Sequence, residues 1–158
     1  MEIKKTFNSE EMLKTSKEFV PLILRILLAL VVFPHGAQKL FGLFGGYGFT
    51  GTMRYFTEIV GIPWVVGFLV ILLETIGALL LASGLATRLL AFLYTLLGMG
   101  IMIISHLQNG FFMNWYGNQA GEGIEYFILW LAISVTLVIS GGGRYSMDYL
   151  AMKKGILT

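Results

Sequence analysis

FVPLILRILLALVVFPHGAQKLF, residues 19–41, is the stretch that decides the fold. It is apolar on all sides of a helical turn, broken only by Arg25, His35, Gln38 and Lys39. A membrane-spanning helix needs about 20 mostly apolar residues, and this run is long enough. Three more runs follow, at roughly 63–85, 87–107 and 122–140. The segments between them read GLFGGYGFTG, SGLAT and NGFFMNWYGNQAGEG, and GGGRYS follows the last; all are turn and loop signals. Composition agrees with this reading. The 158 residues are 56% hydrophobic and only 13% charged, where a soluble domain carries about 25% charged residues. Mean hydropathy is +0.79. So much apolar surface has a bilayer as its natural solvent.

The sequence therefore predicts an all-α polytopic membrane protein, a four-transmembrane-helix bundle over residues 20–150. A polar N-terminal tail, residues 1–19, precedes it, and a short tail, residues 151–158, follows. A cleaved signal peptide is the competing reading of the N-terminus, because lysines precede an apolar run. Against it, the run exceeds the usual signal length, contains Arg25 and shows no clear A-x-A site. The 20 glycines suit close helix contacts in lipid.

Basic residues set the expected orientation. One side of the membrane would hold Lys4, Lys5, Lys14, Lys17, Arg88, Arg144, Lys153 and Lys154; the other would hold Arg54, with Lys39 near its boundary. Both termini are therefore expected in the cytoplasm. The loops at about 42–62 and 108–121 are expected outside. Their aromatic residues read as an interfacial belt, or as a lid over a site. A net charge of +2 is too small to imply a nucleic-acid partner. With no cysteine in it, this chain alone supports neither thiol redox chemistry nor an Fe–S cluster.

Helical rise, about 1.5 Å per residue, sorts the ionisable groups by depth. His35 falls in the outer leaflet, and Lys39 lies one turn farther out on nearly the same face. His106 and Glu125 fall at similar depth on the third and fourth runs, Glu74 near mid-membrane on the second, and Arg25 about two turns in from the inner face. A charge at the bilayer centre costs about 2.5–3.5 kcal/mol on insertion scales. These groups are therefore expected to face the bundle interior, with Arg25 and His35 both within reach of Glu74. Pro34 removes one backbone donor and is expected to bend the first helix, aiming His35 inward and Lys39 toward the outer surface.

Each residue also has a plainer reading. Lys39 can snorkel, His106 can be interfacial, and Arg25 with Glu74 can be a structural ion pair. His35 can be a buried hydrogen-bonded histidine. Glu125 suits a helix N-terminus, and Glu122 belongs to the loop. Arg88, Arg144 and Asp148 read as inner-interface anchors and caps.

LRILLALVVFPHGAQKLFG, ILLETIGALLLASGLATRLLA, ISHLQNGFF, GEGIEYFILW and GGGRYSMDYL together resemble the DoxX family of small four-helix membrane proteins. The resemblance covers most of residues 24–150. The family's first-helix Arg, His-Gly-x-x-Lys, second-helix Glu and Gly-x-x-x-Arg turn match Arg25, His35, Gly36, Lys39, Glu74, Gly84 and Arg88. Later positions match His106, Glu125 and Asp148. The family is associated with quinone-linked oxidoreductases, including a membrane subunit of a thiosulfate:quinone oxidoreductase, and with responses to redox or quinone stress. Many members have no established reaction.

The resemblance thus implies a membrane subunit that handles quinone or quinol, with a redox partner subunit or a homo-oligomer to complete it. His35, Glu74, His106 and Glu125 are the candidate proton-handling residues, since imidazole and carboxylate groups relay protons and hydrogen-bond ring oxygens. Arg25, His35, Lys39 and Glu74 are the candidate quinone or anion contacts. Two other readings stand beside it: a transporter or binder of a small molecule, whose proton path the buried charges would mark, and a non-catalytic assembly subunit. His35 and His106 could in principle hold a haem or, with Glu125, a zinc ion, but two histidines in the whole chain are a thin basis for either.

Overall fold

The computed structural model describes Thr15 and residues 17–154. The greater part of the N-terminal tail and the last four residues lie outside the described residues. The described chain is all-helical, with no strand. Helix α1 is Val20–Phe41. Helix α2 is Gly48–Arg54, continued by a π-helical turn, Tyr55–Val60. Helix α3 is Trp64–Ser83, with a π-helical turn at Leu73–Gly77. Helix α4 is Thr87–Asn109, with a π-helical turn at Met102–His106. Helix α5 is Glu125–Ser140 and α6 is Met147–Lys153.

Helices α1, α3 and α4 are each long and apolar enough to cross a membrane. The apolar α5 has 16 residues, about 24 Å at helical rise, against a hydrocarbon core of about 30 Å. Local sequence sets the ends of α1. Pro21 occupies its first turn, where no amide partner is lost. Gly42 closes it in the left-handed conformation, its amide donating to Gln38 O at 3.2 Å. The helix runs unbroken through Pro34.

Helix α2 falls where the sequence reading expects only loop. Gly48 and Gly51 in its first turns hide the helical pattern. Its apolar side is nonetheless buried, with Thr52 and Met53 each 5% exposed. It packs on α3 at Gly67, where a Cβ would stand 2.9 Å from the Phe56 ring. Tertiary burial here outweighs weak helix propensity.

The core is built from Leu28, Ala29 and Val32 of α1, Ala78 and Leu81 of α3, Leu90, Ala91 and Tyr94 of α4, and Trp130 and Leu137 of α5. Helices α4 and α5 pack along much of their length, and α1 lies against both α3 and α5. The α1–α3 pair is antiparallel and close. At Gly36 a Cβ would fall 2.4 Å from the Glu74 carbonyl oxygen, so only glycine permits this approach.

The first and last described segments meet at one end of the bundle. Gly143 N donates to Thr15 Oγ1 at 2.5 Å, and Arg144 N to Glu18 O at 3.0 Å. There α6 is tied to α4, since Asp148 accepts from Ala86 N at 2.7 Å and Thr87 N at 2.9 Å. These are amides at the start of α4 that have no partner within their own helix. Arg88 donates to Val138 O near the end of α5 at 2.7 Å, where a cation complements free carbonyls. Arg144 is exposed and lies over the Tyr145 ring at 5.2 Å. Asp148 and Arg88 thus act as the cap and anchor that their types suggested.

Candidate functional site

Glu74 lies inside an apolar stretch of α3, in the π-helical turn, and is 2% exposed. Such a turn opens the helical ladder locally and is frequent at functional sites. The Lys39 ammonium of α1 lies 2.6 Å from Glu74 Oε2. That oxygen has no hydrogen bond in good geometry from any described residue, so the contact is chiefly one of charge. The Lys39 side chain is 25% exposed, and the pair therefore has one sealed end and one end near the surface.

Lys39, rather than His35, points at Glu74, which reverses the orientation expected from sequence. Helical geometry explains it. Gly36 faces Glu74, and each residue turns about 100° around the helix. Lys39 lies about 60° from the Gly36 direction, whereas His35 lies about 100° away. Side chains on a helix also lean toward its N-terminus, which brings Lys39 down to the level of Gly36 and Glu74. His35 is left exposed on the flank of α1.

Arg25 does not reach Glu74 either. It is 1% exposed and donates to Ala82 O and, at 2.6 Å, to Tyr145 O. The antiparallel register sets Arg25 level with the end of α3, and Ala82 lies eight positions past Glu74, about 12 Å along the axis. Arg25 therefore joins Asp148, which acts on it electrostatically, in the lock at the far end. Gly84 adopts φ +73°, and a Cβ there would stand 2.9 Å from Arg25 Nη1 and 2.4 Å from Ser146 Cβ.

His106 and Glu125 form a separate group. His106, in the π-helical turn of α4, has Nδ1 2.9 Å from Glu122 O and its ring 4.7 Å from that of Phe127. Glu125 Oε1 accepts from Met113 N at 3.0 Å and Trp115 Nε1 at 3.2 Å. Glu122 Oε2 accepts from Asn114 N at 2.5 Å. These residues brace the segment between α4 and α5, which exposes Trp115 and Tyr116 at 80% and 91%. The hydrogen bonds of His106 and Glu125 thus run to the segment between α4 and α5, whereas Lys39 meets Glu74 between α1 and α3.

Two phenols accompany Glu74. The Tyr94 hydroxyl of α4 donates to Leu73 O at 2.6 Å, at the start of the π-helical turn. Trp130 Nε1 of α5 donates to Tyr94 O at 2.8 Å. Tyr126, one turn from Trp130 on the same face, packs edge to face on it at 6.1 Å. The Tyr94 hydroxyl also stands 3.2 Å from where a Cβ at Gly77 would lie, in the same turn as Glu74. Lys39, Glu74, Tyr94 and Tyr126 thus bring one side chain from each of α1, α3, α4 and α5 to one region. The tyrosines were missed in the sequence. Their signal was the spacing of Tyr126 and Trp130 on one face of an otherwise apolar helix, where buried Tyr and Trp usually need a hydrogen-bond partner.

Chemically, the region offers a buried carboxylate, a partly exposed ammonium and aromatic walls. Among the described residues, no group of three or more His, Asp or Glu side chains is placed to hold a metal ion.

The DoxX family model matches residues 20–107, which include Arg25, His35, Lys39, Glu74 and His106. The chain is 29% identical to "Putative oxidoreductase CatD" of Bacillus subtilis (strain 168) over 138 residues, 87% of this chain and 91% of that protein. It is 27% identical to "Inner membrane protein YphA" of Escherichia coli (strain K12) over 133 residues, 80% of this chain and 86% of that protein. No solved structure matches the chain.

Proposed function

The chain belongs to the DoxX family, and from that premise we propose that it is the integral membrane subunit of a quinone-linked oxidoreductase. It crosses the inner membrane four times with both termini in the cytoplasm and binds quinone or quinol beside Glu74. The observation that carries this reading is the Lys39–Glu74 pair, a sealed carboxylate with one charged partner in an apolar bundle. A charge so placed is expensive to keep without a use. One relative has oxidoreductase in its name and another is named an inner membrane protein; both names fit the reading. Contact between the first and last described segments supports placing both termini on one side.

Reducing a quinone takes two electrons and two protons. In this reading Glu74 passes a proton to or from a ring oxygen, and Lys39 is the charged partner that the ligand displaces. His106 and Glu125, at the outer end, are candidates to pass that proton onward. His35, on the flank of α1, is a candidate contact for a ligand approaching through lipid. With no cysteine in the chain, the electrons come from a partner subunit or a bound redox group.

The test is solvent extraction of the purified protein, with quinone quantified in the native chain and in Glu74→Gln and Lys39→Met variants of matched folding. Near-stoichiometric quinone in the native chain and its loss in both variants supports the site. Equal trace amounts in all three would remove tight quinone binding and favour transport or an assembly role.

A further inference from the structure

Three rings form a wall between α4 and α5 beside the Glu74 turn, and the hydrogen-bonding groups on two of them are already engaged. Trp130 spends its indole N–H on Tyr94 O, and Tyr94 spends its hydroxyl on Leu73 O. The third ring, Tyr126, is half-buried against the core, edge to face with Phe127 at 5.3 Å and with Trp130 at 6.1 Å. Its hydroxyl makes no hydrogen bond with any described residue. The hydroxyl is not among the buried unpartnered polar atoms, so it keeps accessible surface from which it can meet a ligand. Tyr126 stands one helical turn from Trp130, on the face that already reaches α4 and, through Tyr94, the turn that carries Glu74.

We propose that the Tyr126 hydroxyl is the hydrogen-bond donor that the Glu74 site presents to its ligand, and that the site takes a flat ring bearing an acceptor oxygen. The proposal rests on the quinone reading above and narrows it. Lys39 and Glu74 alone would serve a small anion equally well. A free phenol on an aromatic wall adds a directional donor and a surface for stacking, which suit a ring carbonyl rather than a compact anion. The three aromatic residues also have different duties. Tyr94 and Trp130 join helices to one another, whereas the Tyr126 hydroxyl joins no described residue.

That difference supplies the test. Tyr126→Phe removes an oxygen with no partner among the described residues, so its melting temperature in detergent should equal that of the native chain. Tyr94→Phe strands the Leu73 carbonyl and should lower the melting temperature. Equilibrium dialysis against a radiolabelled short-chain alkyl benzoquinone gives the affinity. Tyr126→Phe should bind about five- to tenfold more weakly, the loss of one neutral hydrogen bond. Native chain that binds saturably, with Tyr126→Phe binding equally well, overturns the role of Tyr126 and leaves the quinone reading standing. Native chain without saturable binding overturns that reading itself. A lower melting temperature for Tyr126→Phe would show that its hydroxyl is structural and would also overturn the proposal.

Discussion

Lys39 and Glu74 are unequal partners, and the inequality is measurable. Glu74 is 2% exposed, while the Lys39 side chain is 25% exposed and has four methylenes with which to reach the interface. Lys39→Met strands a buried carboxylate and should cost about 3 kcal/mol, the usual penalty for removing one partner of a buried pair. Glu74→Gln leaves Lys39 able to swing outward and should cost about 1 kcal/mol. Denaturant unfolding in detergent micelles gives both values, and the double variant gives the coupling between them. Equal losses would mean that Lys39 has no escape route. Gly36→Ala is the complementary probe. The added Cβ meets the Glu74 carbonyl at 2.4 Å, so α1 and α3 must separate, at about 1–3 kcal/mol.

At the scale of elements, the bundle is held at one end by a lock that joins α1, α3, α4 and α6. Arg25 reaches the end of α3 and Tyr145, while Asp148 caps the start of α4. Ala86 enters that cap with φ +49°, a conformation that costs an L-residue about 1–2 kcal/mol. Asp148 holds it there through the Ala86 amide. Asp148→Ala leaves two amides unpaired and removes the charge beside Arg25. It should lose about 2–4 kcal/mol, and hydrogen exchange at Ala86 and Thr87 should rise before exchange in the middle of α4. Uniform acceleration along α4 would contradict a local cap. Asp148, Arg88 and Glu74 could be read from type and position alone, because a charge at a helix end or within an apolar run has few satisfying arrangements. The existence of α2 could not be read in this way. Its glycines argue for loop, and only burial against Gly67 makes it a helix.

At the scale of the whole molecule, the proposed orientation can be checked with single-cysteine reporters, since the native chain has no cysteine. Lys17, Lys154 and Tyr116 are all exposed. In intact cells a membrane-impermeant maleimide should label Tyr116→Cys. It should label Lys17→Cys and Lys154→Cys only after the membrane is opened. Labelling of Tyr116→Cys and Lys154→Cys together in intact cells would refute the four-crossing arrangement, and labelling of the terminal positions alone would refute the orientation. The short α5 is the element most exposed to this test, because its length falls below the average hydrocarbon thickness and calls for a thinned bilayer or flanking loop to complete the crossing.

The amino-acid sequence by itself determined the solvent, the long apolar helices and the charged residues within them. Hydrophobicity accumulates along the chain, and a long apolar run must satisfy its own backbone wherever it goes in lipid. Tertiary structure alone decided the pairing. Depth along the membrane placed Arg25 and His35 as the plausible neighbours of Glu74, and the structure sets Lys39 there instead. That choice turns on the rotation and register of α1 against α3, which close packing at Gly36 sets. It also turns on the 100° step that puts His35 on the flank. Tyr94 and Tyr126 reach the same region from two other helices, and no periodicity within one segment records where another segment will stand.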